Sequence, residues 1–177
     1  NRSTKKISEE KMSIEDIAKK MVIPGKGILA ADESSGTIKK RFDTINVESN
    51  EENRRNYREL LFRTKNAMEN YISGVILFDE TLRQESKDGT PLVNIISDSG
   101  SLPGIKVDAG AKDLALNTNE KITEGLDGLR ERLKEYYSIG AKFAKWRAVI
   151  TIDSSIPSDL CINANAHALA RYAALCQ

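Results

Sequence analysis

The chain has 177 residues, and its 27 Lys and Arg residues against 26 Asp and Glu residues give a net charge of +1. Hydrophobic residues make up 40% and charged residues 30%, which is typical of a soluble globular domain with a core. The near-neutral charge disfavours nucleic-acid binding, and no apolar run approaches the roughly 20 residues of a membrane span. Two cysteines are too few for a disulfide scaffold or a zinc site, and they fit the reducing cytosol.

A capping box marks the start of the first predicted helix. Ser13 stands three residues before Asp16, and this spacing satisfies free N–H groups at a helix start. The helix ends at Pro24 and Gly25, and its apolar stripe is formed by Ile14, Ile17, Ala18, Met21 and Val22. A short buried strand is predicted at 27–32. Residues 1–10 are polar and charged, so we expect no secretory signal there.

The rest of the chain alternates between helix and strand patterns. A polar turn at 33–37 opens a basic segment at 39–41, and one long helix is predicted from Ser49 through Met68. Further strands are predicted at 74–78, 104–108 and 143–150. Before the last strand, Gly140 ends a helix whose apolar face is formed by Leu126, Leu129, Leu133 and Tyr136. The final helix has one apolar face formed by Ile162, Ala166, Leu169, Ala173 and Cys176.

This alternation predicts an α/β fold with a parallel sheet. Right-handed crossovers leave two architectures, an open doubly wound sheet or part of a (β/α)₈ barrel. No Gly-rich dinucleotide loop follows any predicted strand. The chain begins at Asn1 without a methionine, and its last helix stops at Gln177 without a capping residue. We therefore expect a fragment.

Charged residues stand near the carboxyl ends of three predicted strands. Burying a charge is costly, yet three charged residues stand at the edge of the sheet where α/β folds bind ligands: Asp32, Lys106 and Lys145. Asp108 and Arg147 lie near the same strand ends. Each residue also has an ordinary explanation: Asp32 as a helix cap, Lys106 with Asp108 as an edge-strand ion pair, and Arg147 reaching water past Trp146. Together they favour one site for an anionic substrate and for carbonyl chemistry, because a desolvated lysine can act as base or nucleophile.

The turn after the first strand has the composition of a phosphate cradle. Hydroxyls, free N–H groups at a helix start and basic side chains would be supplied by Ser34, Thr37, Lys40 and Arg41. The alternative is a solvated basic helix face. Arg54, in the segment 53–55, belongs either to a barrel rim or to solvent. His167 is expected to be a surface or packing residue, and Cys161 and Cys176 small buried hydrophobic residues.

Several motifs together resemble the class I (Schiff-base) fructose-bisphosphate aldolases of the eukaryotic type. They are GKGILAADES at 25–34, ENRR at 52–55, GIKVD at 104–108, GLDGL at 125–129, FAKWR at 143–147 and ARYA at 170–173. The resemblance runs from about residue 14 to 177. It implies a partial (β/α)₈ TIM barrel, with the first four strand–helix units preceded by an N-terminal helix. Residues 1–177 would then be the N-terminal half of one barrel domain, ending before strand five.

The resemblance also implies a function. Such enzymes of glycolysis and gluconeogenesis reversibly cleave fructose 1,6-bisphosphate to dihydroxyacetone phosphate and glyceraldehyde 3-phosphate through a lysine Schiff base, without metal or cofactor. They are cytoplasmic homotetramers. The Schiff-base lysine and the general-acid glutamate belong to later strands, so this chain alone is expected to be inactive. The preference between fructose 1,6-bisphosphate and fructose 1-phosphate depends on regions outside this sequence.

Residue by residue, the resemblance assigns two catalytic groups. Asp32 would assist carbinolamine formation and carbon–carbon cleavage, and Lys145 would assist proton transfer beside the Schiff-base carbon. Contacts to substrate phosphates and hydroxyls would come from Ser34, Thr37, Lys40, Arg41, Arg54, Lys106 and Arg147. Ala109 departs from the pattern, because many relatives have a lysine there.

Two other functions compete with this one. The chain could serve as a non-catalytic scaffold for actin or for acidic peptide tails, because such aldolases also bind these partners. It could also belong to another Schiff-base barrel that acts on a different sugar phosphate, such as transaldolase. The run LAADES at 29–34 fits transaldolase less well.

Overall fold

The computed structural model describes residues 11–177, so the expectation about a secretory signal at 1–10 lies outside it. The helices are α1 (Ile14–Met21), α2 (Ser35–Asp43), α3 (Glu51–Phe62), α4 (Lys65–Tyr71), α5 (Asp79–Arg83), α6 (Leu92–Asp98), α7 (Leu129–Ile139) and α8 (Asp159–Cys176). The strands are β1 (Gly27–Ala31), β2 (Ile72–Leu77), β3 (Leu102–Lys106), β4 (Ala111–Leu114), β5 (Asn117–Thr123) and β6 (Phe143–Lys145). Within residues 11–177, no helix has the length and apolar character needed to cross a membrane.

Four strands form a parallel sheet in the order β1-β2-β3-β6, which confirms the predicted α/β class and parallel pairing. Strands that follow one another in this order are joined by connections containing helices, which parallel neighbours require. Ser13 is the N-cap residue of α1 as predicted, because its hydroxyl accepts a hydrogen bond from the Asp16 N–H at 3.1 Å. Gly140 ends α7 as predicted, at a φ of +129°.

The two faces of the sheet have different roles. On the outer face, Val75, Leu77 and Ile105 are fully buried under helical side chains, including those of Phe62, Met68, Leu92, Ile96 and Leu129. The inner face carries the alternate residues, and the strand register aligns Ile76 with Gly104 and Lys106 with Lys145. The core therefore lies on one side of the sheet, and the charged side chains on the other.

An aromatic ring fills the space left by two glycines on the inner face. Phe143 pairs with Gly104 in the sheet, and a Cβ atom added at Gly104 would overlap its ring. A Cβ atom at Gly74, on β2, would lie 3.0 Å from the same ring. The absence of side chains at these two positions lets Phe143 lie directly on the sheet.

Three predicted elements differ from the observed ones. The helix predicted from Ser49 through Met68 is two helices, because Thr64 leaves the helical region at a ψ of 78°. The strand predicted at 143–150 ends at Lys145, since Arg147 N donates to the Asp108 side chain instead of to a neighbouring strand. The first strand is not buried: β1 is an edge strand, and Ile28 is 43% exposed.

The sequence analysis missed α5, α6 and the antiparallel hairpin of β4 and β5. It also predicted the wrong buried face for α8. The buried residues are Cys161, Asn165 and Ala168, because Asn165 donates to Lys121 O of the hairpin at 3.0 Å and turns the helix accordingly. Ile162, Leu169 and Cys176 are exposed, so the prediction of two buried cysteines is correct only for Cys161.

We expect Gly104→Ala to destabilise the chain by about 1–3 kcal/mol, the usual cost of overpacking, because the new methyl group would push the Phe143 ring off the sheet. Gly27→Ala on β1 is the matched control, since a Cβ atom there meets no atom within 4 Å. Urea denaturation of the two variants and the parent measures the difference. Equal unfolding free energies for the two variants would contradict the packing described here.

Candidate functional site

A cavity of about 490 Å³ lies at the carboxyl ends of β1, β3 and β6. Seven of the nine predicted site residues line it: Asp32, Ser34, Thr37, Arg41, Lys106, Lys145 and Arg147. They come from sequence positions more than 100 residues apart and meet because parallel strands place their carboxyl ends along one edge. The structure therefore brings together most of the charged residues that the strand ends predicted.

The central contact of the cavity is an ion pair between the two edge strands. Lys145 Nζ, on β6, donates to Asp32 Oδ2, just after β1, at 2.7 Å. Both side chains are partly buried, with 30% of Lys145 and 12% of Asp32 exposed. The pair holds an ammonium and a carboxylate at proton-transfer distance and leaves both accessible to a ligand.

A second lysine is held by a second carboxylate. Lys106 Nζ donates to Asp108 Oδ1 at 3.0 Å, and the Asp108 side chain is only 3% exposed. The sequence analysis offered this pair as a feature of an edge strand. That explanation is wrong, because β3 lies between β2 and β6. The pair instead belongs to the wall of the cavity.

Three of the four residues predicted as a phosphate cradle line the cavity around the start of α2. Ser34 is the N-cap residue; its hydroxyl accepts from Thr37 N at 3.4 Å and lies 3.1 Å from the Thr37 hydroxyl. Arg41, one turn further along the same helix, also lines the cavity and donates to Glu33 Oε1 at 3.0 Å. Hydroxyls, the positive end of a helix and a guanidinium therefore lie on one wall, as an anion would require.

A fully buried arginine supports this wall. Arg58 Nη2 donates to Glu33 O at 2.7 Å, and its guanidinium lies 3.4 Å from the Glu33 carboxylate. Burial lowers the pKa of Arg58, while the charge of Glu33 acts in the opposite direction. Arg58 thus fixes the backbone that directly follows Asp32. Sequence reasoning missed this role, because the partner lies 25 residues away and no local pattern connects the two residues.

Two predicted site residues are not brought to the cavity. Arg54 forms a two-point contact with Glu80, at 2.8 Å and 2.7 Å, and also donates to Ser49 O. The hydrogen bonds to Glu80 raise the pKa of Arg54, so this residue ties α3 to α5. Lys40 is exposed on α2 and does not line the cavity. His167 is exposed on α8, as expected for a surface residue.

The hairpin of β4 and β5 braces the rim of the cavity. Ala109 N donates to Glu124 O at 2.8 Å, and the Thr123 hydroxyl donates to Arg147 O at 2.7 Å. Glu120, buried on β5, accepts from both the backbone N–H and the hydroxyl of Ser158. These hydrogen bonds lower the pKa of Glu120 and keep the hairpin attached to the start of α8.

Comparison with known proteins identifies related sequences along nearly the whole chain. Residues 13–177 match the family described as "Glycolytic: Fructose-bisphosphate aldolase class-I". A probable fructose-bisphosphate aldolase class 1 from Xanthomonas campestris is 62% identical over 169 residues, which cover 94% of this chain and 50% of that protein. The cytosolic fructose-bisphosphate aldolase 6 of Arabidopsis thaliana is 60% identical over 154 residues, covering 87% of this chain and 43% of that protein.

A solved structure is also similar. Fructose-bisphosphate aldolase from Plasmodium falciparum, in a ternary complex with TRAP and a small-molecule inhibitor, superposes with a TM-score of 0.85 at 49% identity. The superposition covers 94% of this chain and 50% of the Plasmodium chain. The chain thus spans about half the length of the curated relatives that it matches.

Proposed function

The chain belongs to the class I fructose-bisphosphate aldolase family, and we propose from this that it supplies the N-terminal half of an enzyme that reversibly cleaves fructose 1,6-bisphosphate. The products would be dihydroxyacetone phosphate and glyceraldehyde 3-phosphate, formed through a lysine Schiff base. The observation that carries the proposal is the 2.7 Å contact between Lys145 and Asp32 in a cavity that also contains Lys106 and Arg41. Family membership sets aside the alternative of a transaldolase-like barrel.

The proposed architecture is the first half of a (β/α)₈ barrel domain, comprising residues 1–177. Consecutive parallel neighbours and helices packed on the outer face agree with four such units. The inner face, where Ile28 is exposed, would be enclosed by the remaining strands. In this arrangement the cavity occupies the end of the barrel where enzymes of this fold carry their active sites.

Aldol cleavage requires a group that takes a proton from a substrate hydroxyl and another that stabilises the charge that develops. The Asp32 carboxylate is placed for the first task, and the Lys145 ammonium, within hydrogen-bond distance of it, for the second. Partial burial strengthens both interactions, because less water screens them. We assign these two residues the catalytic roles of this half, which include assisting carbinolamine formation.

Phosphate binding is assigned to residues around the start of α2 and to two cations that line the same cavity. Ser34 and Thr37 supply hydroxyls at the start of α2, and Arg41 supplies a guanidinium. Lys106 and Arg147 face the same cavity from β3 and from the segment after β6. Lys40 and Arg54 are left out of this assignment because the structure does not bring them to the cavity.

The activity can be tested in a hybrid in which residues 13–177 replace the matching half of the Xanthomonas relative. We expect the hybrid to cleave fructose 1,6-bisphosphate, and Asp32→Asn to lower its kcat about 100-fold or more, because proton transfer loses its acceptor. Asp43→Asn, at the exposed end of α2, should change kcat less than about twofold, as surface substitutions usually do. Triose phosphate release measures both. A folded hybrid without cleavage, or full activity of Asp32→Asn, would contradict the assignment.

The 177-residue chain alone is proposed to be inactive, because the Schiff-base lysine of the family lies in later strands. Incubation with fructose 1,6-bisphosphate and borohydride should therefore give no covalent adduct by intact mass, whereas the active hybrid serves as the positive control. Lys145 is the amine to examine, since it is partly exposed in the cavity. Efficient trapping on Lys145 would overturn this proposal.

A second proposed role is binding of an acidic peptide or of actin at the basic rim of the cavity. Arg41 favours it, since 59% of its side chain is exposed, and Arg147 is exposed on the same cavity. We expect an acidic peptide to bind the chain in a salt-dependent manner, and Arg41→Ala with Arg147→Ala to weaken binding about tenfold. Fluorescence anisotropy measures this, with Lys19→Ala on α1 as a control. Binding that is unaffected by the double substitution would exclude the rim.

The proposal extends to assembly and location. The resemblance implies that the enzyme is a homotetramer in the cytoplasm, and the Arabidopsis relative is named as cytosolic. Sedimentation of the hybrid measures whether it is a tetramer.

A further inference from the structure

Two lysines lie side by side on the inner face of the sheet. Lys106 and Lys145 are direct partners in the parallel pairing of β3 with β6, and neighbouring strands are only about 4.8 Å apart. Like charges in such positions destabilise a sheet. The structure resolves this conflict by directing each ammonium to its own carboxylate, Lys145 to Asp32 at 2.7 Å and Lys106 to Asp108 at 3.0 Å.

Asp108 does more than neutralise one lysine. Its Oδ1 accepts from Lys106 Nζ and from Gly110 N, each at 3.0 Å, and its Oδ2 accepts from Arg147 N at 3.2 Å. Lys106 Nζ also donates to the Asp108 carbonyl oxygen at 3.1 Å. One nearly buried carboxylate therefore joins the end of β3, the residue before β4 and the segment after β6.

We propose that Asp108 is a positioning residue that holds the Lys106 ammonium toward the phosphate of the substrate and away from Lys145. Lys145 then remains paired with Asp32. Lys106 serves phosphate binding, and Lys145 serves the catalytic step. The inference rests on the proposed function for the identity of the substrate. The positioning of Lys106 for an anion is independent of the aldol chemistry and can be measured separately.

Positioning and simple neutralisation predict opposite effects of Asp108→Asn. If Asp108 only cancelled positive charge, removing its charge would make the cavity more positive and phosphate would bind more tightly. An asparagine, however, has one carbonyl oxygen and one NH₂ group where Asp108 has two acceptor oxygens, so its NH₂ group faces either Arg147 N or both Lys106 Nζ and Gly110 N. In the first orientation the segment after β6 loses its contact, and in the second Lys106 loses its side-chain acceptor. In both, Lys106 loses the charged partner that holds it, so phosphate binding would weaken.

The test uses the 177-residue chain and inorganic phosphate, with affinity measured by ³¹P NMR titration. We expect Asp108→Asn to raise the Kd for phosphate about tenfold, the scale of one charge-assisted hydrogen bond. Lys106→Met should weaken binding as much or more, and the double variant should bind no more weakly than Lys106→Met alone. Asp113→Asn, an exposed residue of the hairpin, is the matched control and should leave the Kd unchanged.

Each other result overturns the proposal. Tighter binding by Asp108→Asn would show that Asp108 only neutralises charge, and unchanged binding would show that it does not position Lys106. Additive effects in the double variant would show that Asp108 does not act through Lys106. Absence of phosphate binding by the parent chain would also end it. Should Asp108→Asn fail to fold by circular dichroism, Asp108→Glu is measured in its place, because it keeps the charge but displaces the carboxylate from Lys106. Parent-like binding by Asp108→Glu, or by Lys106→Met, would then overturn the proposal.

The active hybrid separates this inference from the proposed function. There, Asp108→Asn should raise KM for fructose 1,6-bisphosphate about tenfold and change kcat less than about twofold, because the lost contact serves binding. A hybrid without cleavage, together with the expected phosphate pattern in the chain, would refute the aldolase proposal and leave the positioning role intact. A fall in kcat at unchanged KM would refute the division of tasks between the two lysines.

Discussion

The contact between Asp32 and Lys145 constrains the shape of the whole sheet. Asp32 directly follows the first strand of the order β1-β2-β3-β6, and Lys145 ends the last. In a flat sheet these strands would lie about 14 Å apart, from three spacings of about 4.8 Å, which is too far for the two side chains to meet at 2.7 Å. The sheet must therefore curve toward its inner face. Gly74 and Gly104 leave room for the Phe143 ring on that concave side.

The charges of the cavity are arranged before any ligand binds. Lys145 is paired with Asp32, Lys106 with Asp108 and Arg41 with Glu33. Each pair offsets the desolvation that a partly buried charge would otherwise suffer. The carboxylates thus hold the cations so that they line one volume. The residues that fix this geometry, Arg58 and Asp108 among them, are more deeply buried than the residues proposed to meet the ligand.

The position of the site was easier to predict from the sequence than the residues and elements that hold it in place. A charge in a strand is costly, so Asp32, Lys106 and Lys145 were visible from pattern alone. The structure does not bring Arg54 to the cavity, because its side chain binds Glu80, a partner that only tertiary packing fixes. The hairpin was missed because Glu120 is buried on β5, and an apolar residue at that position would have indicated a strand. The face of α8 was misplaced for a similar reason: its buried side includes a polar residue, Asn165, and the apolar pattern followed exposed positions instead.

The two faces of the sheet have separate roles, and this lets charged residues gather on one of them. Folding depends on the outer face, where Val75, Leu77 and Ile105 are buried under the helices. The inner face contributes less apolar burial, since Ile28 is exposed. Polar residues there do not compete with the core for position, because adjacent residues of a strand point to opposite sides. Alternate residues of the same strands thus form the core and the cavity. The charged residues at the end of the inner face can be held in place by hydrogen bonds alone.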